Sequence, residues 1–167
     1  MFVSPTHAET SYSEYYISIT DALINTKQGN KAEAEKAIEE FALKWEKVTS
    51  SEEKEKYAVD AALKDVQNAK SSDERVSALT NLSKALKALE SLENPVDEAA
   101  QRNEFKTKFT PIMEMFDKAL ATGDFNIINE KYKEFDKKWN LYEQPVRDQS
   151  IGIYGQIETQ MSFIRIS

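Results

Sequence analysis

The chain has 167 residues and sets 22 Lys plus Arg against 29 Asp plus Glu, a formal charge of −7. That balance argues against sequence-independent binding to nucleic acid, which needs surplus cations to meet the phosphates. There is no cysteine and one histidine, His7, so thiolate zinc sites, disulfides and CxxC redox chemistry are excluded, and any metal here would meet oxygen ligands.

Four glycines and four prolines leave few positions for turns or strand ends, and the expected class is all-α. No uncharged apolar run is long enough to span a bilayer. The opening Phe2-Val3-Ser4-Pro5-Thr6-His7-Ala8 differs from the rest. It reads as a signal-peptide remnant cut after Ala8, or as a disordered tail. Removal of residues 1–8 takes the histidine away, and with it any Ser-His-Asp triad or His-ligated metal.

From there the helical period runs almost unbroken. Tyr12, Tyr15, Tyr16, Ile19, Ala22, Leu23 and Thr26 form a first stripe that stops at Gly29, a natural left-handed cap. Asn30 with Glu33 predicts a capping box for a second helix, whose inner face is Ala34, Ala37, Ile38, Phe41, Trp45 and Val48. Ser50 with Glu53 predicts the next start, followed by the alanine-rich stripe Val59, Ala62, Leu63, Val66 and Ala69. Ser71 or Ser72 with Glu74 opens a fourth helix carrying Val76, Leu79, Leu82, Leu86, Leu89 and then Leu92 or Glu93. Asn94-Pro95 ends it, because proline disfavours helical geometry in the residue before it.

A fifth helix presents Phe105, Phe109, Ile112, Met113, Phe116, Ala119 and Leu120. Pro111 lies inside that pattern and predicts a kink or restart near Thr110. Gly123 stops it, Asp124 caps a sixth helix with Phe125, Ile128, Tyr132, Phe135 and Trp139, and Pro145 starts a last one with Val146, Ser150, Ile153, Ile157, Met161 and Ile164. That stripe runs through Phe163-Ile164-Arg165-Ile166-Ser167 without a stop signal, which leads us to expect a native protein that continues past Ser167.

The two glycine-capped hairpins recur at one offset, 123 − 29 = 94 residues, which also pairs Asn30 with Asp124, Phe41 with Phe135, Lys44 with Lys138 and Trp45 with Trp139. This reads as a duplicated hairpin. Tetratricopeptide repeats recur about every 34 residues, so a closed bundle is preferred to a solenoid. The expected fold is an antiparallel helical bundle of about six or seven helices, with residues 9–167 as a single domain.

The most distinctive segment runs from Trp139 to Met161. On one continuous helix Arg147, Ser150, Tyr154 and Glu158 would follow each other at steps of three and four and form a polar stripe, with Glu143 across the first turn. Gly152 and Gly155 lower helix propensity, and fit either a close approach or a local irregularity. Two readings of the stripe stand side by side: a buried network in which Arg147 pairs Glu143 and Glu158 with the Tyr154 hydroxyl joined to it, or a ligand site. The glutamates from Glu33 to Glu40 and from Glu52 to Glu55 alternate with lysines as solvated faces do. No phosphate loop, dinucleotide fingerprint or nucleophile elbow occurs, and no enzymatic activity is expected.

In its Tyr-rich first helix, in Gly29 to Trp45 and most of all in Trp139 to Met161, the chain resembles the extracellular N-terminal domain of the Ftr and EfeU type iron permeases of Gram-positive bacteria. The resemblance implies an exported helical domain on the outer face of the plasma membrane, anchored by a membrane permease domain of the same chain. It also implies two partners, an iron-binding lipoprotein and a haem-dependent peroxidase that oxidises ferrous iron. Iron, ferrous or ferric, is then the possible ligand, with Glu143, Glu158 and Tyr154 as candidate contacts. Arg147 and Ser150 would orient that set, and Trp45, Trp139, Gly29 and Gly123 would hold its frame. The Arg-Glu-x-x-Glu motif of the permease helices does not occur in this chain, so the family's conducting residues have no place on it. A neighbouring Arg147 also weakens a site's attraction for a cation.

Overall fold

In a computed structural model the described residues, 12–166, form eight α-helices and no strand, so the chain is all-α. The expected signal remnant 1–8, His7 included, lies outside the described residues. The sequence reading takes residues 9–167 as one domain, whereas backbone contacts gather into two compact units, Met1–Pro95 and Val96–Ser167. Each half of the duplication closes an apolar face of its own, and the Asn94-Pro95 stop falls between them.

In the first unit α1 (Ser13–Gln28) and α2 (Lys31–Trp45) form one hairpin, α3 (Glu53–Asn68) and α4 (Ser72–Glu93) a second, and α1 packs along α4. The buried faces are those the periodicity predicts: Tyr16, Ile19 and Leu23 on α1, Ile38, Phe41 and Trp45 on α2, Val59 and Val66 on α3, and Leu79, Leu82, Leu86 and Leu89 on α4. Ala22 and Ala34 are fully buried, small side chains that let the first two helices approach.

Gly29 holds φ 78°, and its N–H reaches the Thr26 carbonyl at 3.2 Å while the Asn30 N–H reaches that of Asn25 at 2.8 Å. This is a Schellman closure, which needs a left-handed residue. Asn30 therefore makes no capping box with Glu33. Its amide turns back to Asn25 Oδ1 and Gln28 Oε1, each at 3.2 Å. The Ser50 start also moves: α3 begins at Glu53, and the Ser50 hydroxyl accepts from the Glu52 N–H and donates to Glu93. The Ser71 cap forms, taking the Glu74 N–H at 3.2 Å, but the Glu74 carboxylate reaches the N–H of Lys70, one residue before the box position.

The second unit holds α5 (Glu98–Thr122), α6 (Phe125–Tyr142), α7 (Gln144–Gln149) and α8 (Ile151–Ile166). Gly123, with φ 66°, ends α5, and the Asp124 carboxylate takes the N–H groups of Asn126 and Ile127 at the start of α6. Of the kink or restart expected near Thr110, the restart does not occur, and α5 runs on through Pro111. Pro111 and Thr107 are both exposed, so the carbonyl that proline cannot bond lies on the solvent side. Five predicted core positions, Met113, Leu120, Phe125, Ile153 and Ile164, are exposed, as is Leu92 in the first unit. In the second unit α5 is covered by α6 and the short α7, where α1 has both α2 and the 22-residue α4 against it.

The duplication is visible in side-chain geometry. Tyr15 lies 5.5 Å from Phe41 and 5.9 Å from Trp45, ring centre to ring centre, and Phe109 lies 5.3 Å from Phe135 and 5.6 Å from Trp139. Each of these residues sits 94 positions from its counterpart. The two halves share caps and an aromatic trio.

Nothing lies within 4 Å of where a Cβ would stand on Gly29 or Gly123, so the penalty for a side chain there comes from the backbone alone. Gly29→Ala and Gly123→Ala are each expected to lower stability by about 1–2 kcal/mol, read from urea unfolding midpoints. Gly29→Asn should lose less than Gly29→Ala. Equal stability of the alanine variants and the wild type would mean that the turns do not need left-handed backbone.

Candidate functional site

The predicted polar stripe depends on a single helix from Pro145 onward, and the chain breaks that helix at Ser150. There the backbone is extended, φ −156° and ψ 104°, separating α7 from α8. Ser150 becomes the entry to α8: its carbonyl accepts from the Tyr154 N–H at 3.0 Å and its hydroxyl from the Ile153 N–H at 3.3 Å. Ser150 thus sits at the corner of the segment rather than in line with Arg147 and Glu158. Gly152 has only the Ser150 hydroxyl oxygen near its would-be Cβ, at 3.9 Å, an ordinary contact. Of the two readings of the glycines, irregularity of the helix is the one the Gly152 environment favours.

The break brings the remaining candidates together around Tyr154. Its ring is fully buried and stacks on Trp139, centroids 6.1 Å apart and planes at 17°. The Trp139 indole N–H donates to Glu158 Oε1 at 2.5 Å. Glu143, at the joint between α6 and α7, and Arg147 on α7 are 6% and 5% exposed. Beside them Arg147 Nε lies 3.9 Å from Asp148 Oδ1, a pair almost wholly out of water. Further along α8 the Tyr132 hydroxyl donates to the Met161 carbonyl at 3.0 Å, tying α6 to α8.

Burial pushes the Tyr154 phenol well above its ordinary range, the carboxylates of Glu143 and Glu158 push it further, and Arg147 opposes them in part. The hydroxyl faces Glu143 without closing a hydrogen bond of normal geometry. Such a phenol stays protonated, and metal ligation by tyrosine requires the phenolate. Among the described residues no three His, Cys, Asp or Glu side chains converge as a metal site would need. What the arrangement does is hold an aromatic pair, the Glu143 carboxylate and the Arg147 guanidinium in a low-dielectric interior with the half-buried Glu158 at its edge, where each unmet group is costly.

The other frame residues lie where the duplication puts them, Trp45 and Gly29 in the first unit and Gly123 at the turn between α5 and α6. Trp45 repeats the role of Trp139, since its indole N–H donates to Asp60 Oδ1 at 2.6 Å. Lys56 bonds both Asp60 oxygens at 3.3 Å and stands 5.4 Å over the Trp45 ring, a cation on an aromatic face.

A second polar cluster was not foreseen. The Tyr16 hydroxyl donates to Glu90 at 2.9 Å, and Tyr12 and Ser50 both donate to Glu93. The signal was present as two phenols four residues apart, Tyr12 just before α1 and Tyr16 on it, and two glutamates late in α4. Burial and the Glu93 hydrogen bond raise Tyr12 above the usual tyrosine range, and burial followed by the Glu14 charge raises Tyr15.

Comparison with family models, with curated proteins and with solved structures finds no match for this chain. Among the described residues no helix is long and apolar enough to cross a membrane.

Two outcomes follow from these bonds. In a double-mutant cycle, Trp139→Phe and Glu158→Ala should show a coupling of about 1.5–3 kcal/mol, the size of a hydrogen bond to a charged group, measured by urea denaturation. A value near zero would leave the indole contact without energetic weight. The phenols of Tyr12, Tyr15 and Tyr154 titrate higher folded than unfolded, so their contribution is complete below the unfolded value of about 10 and is lost as pH rises above it. Stability should therefore fall on the alkaline side, with a shallower fall in Tyr154→Phe. Phenolate absorbance that rises fully before unfolding would contradict this.

Proposed function

We propose that the chain is a non-catalytic helical module of an iron-uptake system on the outer face of the plasma membrane, where it docks other components of that system. The reading rests on the likeness of Trp139 to Met161, and of the Gly29 to Trp45 hairpin, to the external domain of the Ftr and EfeU type permeases. The partners it proposes are an iron-binding lipoprotein, a haem-dependent peroxidase and a membrane permease domain of the same chain.

The resemblance implies that the domain receives iron, docks those partners or orders the permease, and the surroundings of Glu158 speak against the first. Glu158 already accepts the Trp139 indole N–H, and the neighbouring Tyr154 phenol is held protonated. A cation entering there would have to displace the indole, deprotonate a buried phenol and tolerate Arg147, three opposed demands. A surface role asks none of this of the interior.

Titration calorimetry with ferrous and with ferric iron should give no saturable heat that Glu143→Ala or Glu158→Ala removes. Crosslinking to the purified lipoprotein or peroxidase should give a defined complex. Saturable iron binding lost in those variants would restore direct contact, and no complex with either partner would leave a purely structural adaptor of the cell envelope. Reading the gene past Ser167 separates the two docking frames, since the permease reading expects a run of membrane helices there.

A further inference from the structure

The second unit carries an apolar groove of about 280 Å³, lined by Arg102, Phe105 and Lys106 of α5, by Pro145 and Val146 of α7 and by Ile153 of α8. Its floor is hydrocarbon and aromatic ring, with Gln149 and Ser150 as the neutral polar members of the lining. The Ser150 break creates it, because a straight helix from Pro145 would carry Ile153 along the α7 axis instead of turning it at a corner. Its walls are set: Gln101 Nε2 donates to Gln144 Oε1 at 3.0 Å, linking α5 to α7, and the Phe105 ring rests on Phe109 with centroids 5.0 Å apart.

In a chain with seven more acidic than basic residues, no acidic residue lines it among the described residues, and two cations stand one helical turn apart on its α5 side. Arg102 also faces Glu98 at 3.8 Å, but both side chains are more than half exposed, a weak and salt-screened pair. A ligand anion can compete for that guanidinium.

We propose that this groove binds a single-chain amphiphile with an anionic head, a medium-chain carboxylate, its chain on Phe105, Pro145, Val146 and Ile153 and its carboxylate at Arg102 and Lys106. The volume lies just under the range of about 300–1,000 Å³ for drug-sized ligands, enough for one short chain and small for a folded peptide segment. The inference is independent of any role in iron uptake.

Calorimetry of the full chain with decanoate, below its micelle concentration, tests it, with octanoate and decyltrimethylammonium as comparisons. Decanoate should bind saturably and about tenfold more tightly than octanoate, as two further buried methylenes imply. The cationic amphiphile should bind at least tenfold more weakly. The charge-reversed Arg102→Glu, Lys106→Glu double variant should lose decanoate by tenfold or more while keeping its helical circular dichroism. Ile153 is 55% exposed, so Ile153→Glu should block the groove and repel the carboxylate without unfolding the unit and serves as a second variant. No saturable heat with decanoate, equal binding of the cationic amphiphile, or binding unchanged in both variants would each overturn the proposal. Binding of an acidic apolar peptide in place of decanoate would overturn it in favour of a protein partner.

Discussion

A buried ring whose polar hydrogen is handed to a carboxylate on a neighbouring helix is the interaction on which both units depend. Trp45 gives its indole N–H to Asp60 and Trp139 gives its own to Glu158, while Tyr16 and Tyr12 meet Glu90 and Glu93. A large ring buries much apolar surface, but tryptophan and tyrosine each bring a donor that water can no longer satisfy. A charged acceptor meets that need in one geometry, from the buried Glu90 and from the half-buried Asp60, Glu93 and Glu158. The helices that carry the carboxylates are thereby placed in register against the hairpins that carry the rings, α4 and α3 in the first unit and α8 in the second.

The duplicated hairpins show how one solution has been completed in two ways. The trio Tyr15, Phe41 and Trp45 and the trio Phe109, Phe135 and Trp139 have nearly the same spacing, and both hairpins turn on a left-handed glycine. In the first unit a full antiparallel pair, α3 and α4, closes the core. In the second a six-residue α7 and a separate α8 do so, leaving Met113, Leu120 and Phe125 in solvent. The corner at Ser150 turns Tyr154 under Trp139 and leaves an apolar, cation-flanked groove on the other side. Interior and surface features of this unit thus have the same local cause.

A carboxylate that looks like a metal ligand in one dimension, Glu158, accepts an indole N–H in three. Glu143, Arg147, Tyr154 and Glu158 do gather, through the break at Ser150 and not along one helix, but around a phenol that burial keeps protonated and an indole that already occupies a carboxylate. That is why the proposed role falls on the surface.

What the sequence determined by itself was everything local. The 3.6-residue period placed the helices and most of their inner faces, Gly29 and Gly123 marked left-handed turns, Asp124 and Ser71 marked caps, and the 94-residue offset marked the repeat. These features depend on a residue and its neighbours within a turn or two, which is where propensity and capping act. Only the tertiary structure decided the rest. It replaced the Asn30 capping box by a Schellman turn, delayed α3 past Ser50, broke the last helix at Ser150, left Met113, Leu120 and Phe125 in solvent and divided the chain into two units. It also paired Tyr12 with Glu93 across 81 residues. Apart from the Asn30 turn, whose partners Asn25 and Gln28 are close in the chain, each outcome is settled by which distant surface is present to cover a side chain or accept its proton, and that is a property of packing rather than of spacing along the chain.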